Sequence, residues 1–190
     1  FKLLYNAEPD KIISDLHPEY ISTKYAKQMS EKIEQVQHHY AHVAACRFEN
    51  QVEGEALGVS WDGTGYGLDG TVWGGEFFLN DDISYKHFAQ FRKFTLPGGE
   101  KAIKEPRRSL KGILFEIAGI SFVNEFSDLI ENKFTSAEIG ILLNMLSKKI
   151  NSPITSSAGR LFDAVSSLLG ICDRTNYEGQ AAMMLEFAAD

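Results

Sequence analysis

Two histidines four residues apart, His38 and His42, lie in the run Val36-Gln37-His38-His39-Tyr40-Ala41-His42-Val43-Ala44-Ala45-Cys46. On a helix, positions i and i+4 share one face, so the two imidazoles can grip one cation. Asp62 closes the apolar stretch Ala56-Leu57-Gly58-Val59-Ser60-Trp61 and offers a hard oxygen to the same ion. The segment Asp62-Gly63-Thr64-Gly65-Tyr66-Gly67 is glycine-rich, which frees backbone N–H groups to approach phosphate oxygens. A metal beside a phosphate cradle suits phosphoryl or acyl-adenylate chemistry. Zinc-protease chemistry needs a glutamate next to the first histidine as general base, and His39 stands in that place. Hydrolysis of that kind is excluded.

A third group follows in Thr155-Ser156-Ser157-Ala158-Gly159-Arg160-Leu161-Phe162-Asp163-Ala164-Val165. Ser156 or Ser157 caps a helix there, and Gly159 permits a close approach to its first turn. Asp163 can face a ribose hydroxyl pair, or be a surface acid. Tyr177-Glu178-Gly179-Gln180 opens another helix whose N-terminus suits a nucleoside, with Glu178 otherwise a partner of the helix dipole. His17 reads as a turn residue bonded to backbone, and His87 as an exposed strand residue.

These side chains need elements to hold them. Lys11 to Asp15 and Ile33 to Gln37 read as short strands, and Ser22 as the cap of a helix reaching about Lys32, with Tyr25, Ala26 and Met29 inside. Ala56 to Asp62 reads as a buried strand entering a glycine turn. Thr71-Val72-Trp73 and Glu76-Phe77-Phe78-Leu79 read as strand pieces either side of Gly74-Gly75. Tyr85 to Phe94 is aromatic-rich and strand-like, with helix left open by its spacing. From Lys101 the period becomes helical: Leu110, Ile113, Leu114 and Ile117, then Ile139, Leu142, Leu143 and Leu146, then Leu161, Val165, Leu168 and Leu169. Pro97-Gly98-Gly99 breaks the chain into a sheet-rich lobe, residues 1–96, and a mainly helical part, residues 97–190. The expected class is α/β, a mixed sheet flanked by helices.

The 190 residues allow one sizeable domain or two small lobes. A net charge of −7 argues against nucleic acid as a partner, since phosphate backbones need a basic face. The cluster Lys101, Lys104, Arg107, Arg108 and Lys111 is read as a solvated helix face. Two cysteines, Cys46 and Cys172, make no disulfide framework and read as buried thiols of a reducing cytoplasm. No apolar run approaches the ~20 residues that span a bilayer. The residues Phe1 to Asn6 lack a signal-peptide profile, and both ends read as internal to a longer chain.

Together these runs closely resemble the C-terminal carbamoyltransferase region of the HypF family, maturation factors of nickel–iron hydrogenases. The resemblance rests on Asp15-Leu16-His17-Pro18-Glu19-Tyr20 with Ser22-Thr23, Val36 to His42, Asp62 to Gly67, Trp73-Gly74-Gly75-Glu76-Phe77, Leu96 to Gly99, Thr155 to Val165 and Tyr177 to Ala182. Broader relatives, the O-carbamoyltransferases and tRNA threonylcarbamoyl transferases, share the ASKHA (actin/sugar kinase/Hsp70-like) fold. The resemblance implies transfer of a carbamoyl group, made as carbamoyl-adenylate from carbamoyl phosphate and ATP in an upstream domain, to the C-terminal cysteine of HypE. It implies a divalent metal, zinc or iron, on His38, His42 and Asp62. Gly63, Thr64 and Gly65 would meet the phosphate, and Gly159, Asp163, Glu178 and Gly179 the nucleoside. The family's Glu-Pro-Trp-Arg reads Glu105-Pro106-Arg107-Arg108 here. A second phosphate loop and a further metal-binding aspartate are expected beyond the last residue, so the piece is expected to be inactive alone. The competing expectation is a nucleotide- and metal-binding module without chemistry of its own, serving as a scaffold.

Overall fold

In the computed structural model, residue 6 and residues 8–130 and 132–189 are described. Phe1 to Tyr5, part of the stretch read for a signal peptide, and Asp190 lie outside them. Strand β1 (Ile13–Asp15) pairs in parallel with β2 (Glu34–Val36), with Asp15 opposite Val36. Between them runs helix α1 (Ile21–Met29), capped at Tyr20 without a side-chain bond, so Ser22 lies inside the helix instead of capping it. The face that α1 buries carries Thr23 and Ala26, while Tyr25 and Met29 are exposed. Thr23 is drawn inward because its hydroxyl donates to the Asp15 carbonyl at 3.1 Å.

Directly after β2, helix α2 (His38–Glu49) starts at Gln37, whose side-chain oxygen accepts from the Tyr40 N–H at 2.8 Å. It packs on β3 (Ala56–Tyr66), which pairs antiparallel with β4 (Val72–Asn80). The Asp62–Gly67 segment is therefore mostly strand, not turn. The ladder shifts register between Trp61 and Gly65, and the turn itself follows at Gly67–Thr71. Gly74 and Gly75 sit within the single strand β4 rather than between two. A side chain at Gly75 would strike the Ser156 carbonyl at 2.3 Å, so the chain crossing this point requires glycine.

The β3 strand is half-buried. Ser60 faces α2, where Val43 leaves Gly58 no room for a side chain, while Leu57, Val59 and Trp61 are exposed on the other face. Strand β5 (Tyr85–Gln90) pairs antiparallel with β4. Strands β6 (Phe94–Thr95) and β7 (Ile154–Thr155) complete a mixed sheet of order β3-β4-β7-β6, with β7 parallel to β4 at Val72 and Thr155.

Helices α3 (Glu100–Lys104) and α4 (Pro106–Ala118) follow the Pro97-Gly98-Gly99 turn, where both glycines take positive φ. Short helices α5 (Phe122–Glu125) and α6 (Ser127–Ile130) lead to α7 (Ser136–Lys148). Helix α8 (Ala158–Leu168) and then α9 (Gln180–Phe187) close the chain. Leu110, Leu114, Phe122, Ile130, Leu146 and Ala164 form a core shared by α4 to α8. Among the described residues no helix is long and apolar enough to cross a membrane.

Three expectations fail here for identifiable reasons. Arg107, Arg108 and Lys111 are buried instead of solvated: Arg107 reaches Glu105, Glu138 and the Lys133 carbonyl, Arg108 reaches Glu105 and the Pro97 carbonyl, and Lys111 lies over the ring of Phe134. Helix α8 buries Arg160, Asp163, Ser166 and Ser167 while Leu168 and Leu169 are exposed, so its apolar period does not mark its inner face. Cys46 is exposed on the outer side of α2, and only Cys172 is buried.

Helix α7 begins with a reciprocal cap: the Thr135 hydroxyl accepts from Glu138 N–H at 3.3 Å, and Glu138 accepts from Thr135 N–H at 2.9 Å. Thr135→Ala is expected to cost about 1 kcal/mol, read as a lower denaturation midpoint with an unchanged slope.

Candidate metal and nucleotide site

The β1–β2 pairing delivers Asp15 to the first turn of α2, and the β3 strand delivers Asp62 to the same place. His38 lies between them: its Nδ1 is 3.0 Å from Asp15 Oδ2 and its Nε2 is 3.0 Å from Asp62 Oδ2. His42 Nε2 is 3.2 Å from His38 Nε2 and 3.9 Å from Asp62 Oδ2. Ligand atoms of His38, His42 and Asp62 all lie within 4.8 Å of one another. Atoms bound tetrahedrally at zinc-like distances are about 3.3 Å apart, so the spacing matches a shared cation.

Chemistry gives a second test of fit. If His38 Nδ1 donates to Asp15, its Nε2 offers a lone pair toward a carboxylate oxygen and a second imidazole nitrogen. Three electron-rich atoms then face one point, and a proton or a metal ion is what stabilises that arrangement. The donor set of two imidazoles and a carboxylate fits zinc or iron. Asp62 keeps its other oxygen occupied, with Oδ1 accepting from Gly63 N–H at 2.6 Å.

Asp15 escaped the sequence reading as a site residue. It was visible as an acid in the Asp15-Leu16-His17-Pro18 run, but its contact with His38 depends on strand pairing. Its place on the far imidazole nitrogen is that of a group orienting a metal-binding histidine. Asp15→Ala is expected to weaken zinc binding about tenfold, checked by competition against a chromogenic chelator; unchanged affinity would remove Asp15 from the site.

His39 turns inward from the next position of α2 and is fully buried, its ring 5.2 Å from that of His38. The Gln37 amide donates to its Nδ1 at 3.1 Å and to the Tyr66 carbonyl at 3.1 Å, which assigns the ring proton to Nε2. Burial, aided by the neighbouring His38, pushes its pKa down to about 4. His39 fills the space a side chain at Gly65 would need, 2.3 Å from the position of that Cβ. His17 behaves as expected, its Nδ1 accepting from Glu19 N–H at 3.1 Å. His87 does not: it is half-buried, stacked on Trp73 at 4.3 Å and 2.7 Å from the fully buried Glu76.

Glu76 ties the glycine strand to α8. Its Oε1 accepts from Gly74 and Gly75 N–H at 3.2 Å and from the Ser156 hydroxyl. Next to Ser156, the Ser157 hydroxyl lies 2.8 Å from both the Asp62 and Gly63 carbonyls and accepts from Arg160 N–H at 3.1 Å. Ser157 thus caps α8 and fixes the backbone of Asp62 at once.

Gly159 brings α8 against the glycine strand: a Cβ there would lie 2.9 Å from Gly63 Cα. Gly63 is the open position, with Arg160 Nη2 and Glu178 Oε1 at 3.7 and 3.9 Å from where its Cβ would be. A cavity of about 280 Å³, lined by Gly63, Thr64, Gly99, Ile103 and Arg160 among others, lies beside it. A second, about 540 Å³, shares Ile103 with it and is lined by Lys104, Tyr177 and Glu178 among others. Gly179 precedes α9 with φ of +77°. Asp163 is buried behind the cleft wall, 3.0 Å from Arg160, and burial raises its pKa to about 6 against the pull of that guanidinium. Gly63, Thr64, Gly159 and Glu178 are thus brought together, Gly65 faces His39, and Asp163 lies behind Arg160.

Residues 58–190 match the family described as carbamoyltransferase, Kae1-like domain, second subdomain, and residues 1–49 match the HypF Kae1-like domain. The chain belongs to the HypF family. It is 38% identical to the carbamoyltransferase HypF of Synechocystis over 96% of its own length and 25% of the relative's. To the probable carbamoyltransferase HypF of Methanocaldococcus jannaschii it is 42% identical, over 95% of this chain and 24% of that one. The solved structure of full-length HypF in its phosphate- and nucleotide-bound form superposes with a TM-score of 0.87 at 40% identity, covering 97% of this chain and 24% of that chain. HypF from T. kodakarensis superposes at 0.82 with 38% identity, covering 93% and 25%. The chain therefore spans about a quarter of these relatives, and the mixed α/β class expected from sequence is the fold they share.

Proposed function

We propose that this chain carries the site at which a carbamoyl group passes from carbamoyl-adenylate to a protein thiolate, within a longer polypeptide that makes the adenylate elsewhere. The observation that carries the reading is the convergence of His38, His42 and Asp62 beside an open glycine, Gly63, at the first turn of α8. The relatives are carbamoyltransferases by name, and full-length HypF has been solved with phosphate and nucleotide bound. The thiolate attacks the carbamoyl carbon, a C–S bond forms, the carbon–oxygen bond to the phosphate breaks, and AMP leaves.

His38, His42 and Asp62 would hold a zinc or iron ion. Such a cation, when bound, offsets negative charge on a leaving phosphate. Thr64 and the backbone of Gly63 and Gly65 would meet the phosphate, and Gly159, Glu178 and Gly179 the nucleoside, with Asp163 buried behind Arg160. The acceptor is the C-terminal cysteine of HypE, and the setting is cytoplasmic hydrogenase maturation. The test supplies carbamoyl-adenylate and HypE to the intact protein and follows the cysteine by mass spectrometry. A mass increase of one carbamoyl group is expected. Binding of nucleotide and metal without any transfer would leave a scaffold in place of an enzyme.

A further inference from the structure

Arg160 is 5% exposed, yet its guanidinium is poorly provided for. Its Nε and Nη1 are buried without a hydrogen-bond acceptor. Asp163 Oδ2 lies 3.0 Å from Nη1 but likewise makes no hydrogen bond, so the two charges abut without a good donor–acceptor line. A guanidinium has five N–H donors, and a buried one normally has acceptors for most of them. The remaining nitrogen, Nη2, is the atom nearest the open side of Gly63. Arg160 also lines the cavity there and belongs to the first turn of α8, an eleven-residue helix whose N-terminal dipole favours anions.

We propose that Arg160 is the residue that takes the phosphate oxygens of the bound nucleotide. Two carboxylates set the orientation. Glu178 Oε1 stands 3.9 Å from the same open position of Gly63 and Glu100 lines the same cavity, so both carboxylates repel phosphate. A carboxylate accepts from hydroxyls, which directs the ribose to Glu178 and the phosphate to Arg160. The ion pair with Asp163 keeps the guanidinium in the wall. The inference rests on the nucleotide reading above, and adds the charged donor which that reading lacked.

The experiment is calorimetric titration of the intact protein with AMP, adenosine and inorganic phosphate, in wild type, Arg160→Gln and Arg160→Lys. Losing a charged hydrogen-bond donor should weaken AMP about 10- to 100-fold, leave adenosine unchanged, and be partly restored by lysine. An AMP-over-adenosine preference in Arg160→Gln equal to wild type overturns the proposal and leaves the nucleotide reading standing. Inorganic phosphate bound by wild type but not by Arg160→Gln, with no nucleotide binding, supports Arg160 as an anion site and sinks the nucleotide reading. Should Arg160→Gln fail to fold, a crystal structure of the wild type with AMP decides. A phosphate within hydrogen-bond reach of the guanidinium supports the assignment, and one out of reach overturns it.

Discussion

Asp62→Ala in the intact protein is expected to lower carbamoyl transfer to the acceptor thiol by about 100-fold or more while leaving adenylate formation untouched. Asp62 Oδ2 is the oxygen that closes the group with His38 and His42, and its loss leaves two imidazoles, one of them on the more exposed outer side of α2. Removal of outer-shell partners of metal sites already costs about 10–100-fold, and a direct ligand costs more. The substitution should spare the scaffold. Ser157 holds the Asp62 backbone carbonyl, not its side chain, and the β3–β4 pairing at Trp61 and Gly75 needs only main-chain groups. Gly63 N–H alone loses its acceptor, and it can turn to solvent. The readouts are thiol carbamoylation by mass spectrometry beside carbamoyl-phosphate-dependent pyrophosphate exchange. Wild-type transfer by Asp62→Ala would take the metal out of the proposed chemistry. Loss of both activities together would contradict the separation of the two half-reactions. Asp62→Asn, which keeps an acceptor for Gly63 N–H, then shows whether that bond or the charge matters.

The histidine pair was legible because it depends on one local rule, the helical i, i+4 repeat. The Asp62 carboxylate was legible because an acid ending an apolar strand before glycines is conspicuous. Asp15 and Arg160 were not, since each acquires meaning from a contact between residues far apart in sequence. Asp15 meets His38 only through parallel pairing of two three-residue strands, and Arg160 meets Gly63 only through the Gly159 approach. The periodicity of Leu161, Val165, Leu168 and Leu169 misled for a related reason. Helix α8 turns its polar face inward, where Ser157 holds the sheet, Arg160 lines the cleft and Asp163 pairs with it, so Leu168 and Leu169 go outside. In β3 the alternation points the wrong way, since the apolar face of Leu57, Val59 and Trp61 is exposed while the face of Gly58 and Ser60 packs on α2. Of the glycines read as a turn, Gly65 is one of close approach, its space filled by His39, while Gly63 stays open toward the cleft and Gly159 of α8 packs against its Cα.

The charge run on α4 hides the second large effect: Lys111→Met should stabilise the protein by about 2 kcal/mol at pH 7, a net of the terms below. Lys111 is fully buried and its Nζ has no hydrogen-bond partner. What it has is the ring of Phe134 at 4.0 Å, more distantly that of Phe122 at 5.8 Å, and Arg107 crowding the same Phe134 ring at 4.3 Å. Arg107 stands where the family's tryptophan would be, and its charge is spoken for by Glu105, Glu138 and the Lys133 carbonyl. Burial first, then repulsion from Arg107 and Arg108, holds the Lys111 pKa down to about 8 despite the pull of Glu138. Against about 10.4 in the unfolded chain, that depression corresponds to about 3 kcal/mol of destabilisation, offset by about 1 kcal/mol of cation–π attraction. The sign follows from proton counts. Between pH 8 and 10 the unfolded chain binds the proton and the folded one does not, so wild-type stability rises with pH across that window. Below pH 8 both states are protonated and the penalty is present in full. Methionine has similar length, no charge and a polarisable sulfur to set against Phe134, and replacing buried charge by apolar volume is often stabilising. Urea denaturation from pH 6 to pH 10 should show the variant more stable at neutral pH, with the difference shrinking as lysine sheds its proton. Parallel profiles for the two proteins would mean that Lys111 reaches solvent or an acceptor, and a less stable variant would mean that the cation is held there by more than the aromatic rings.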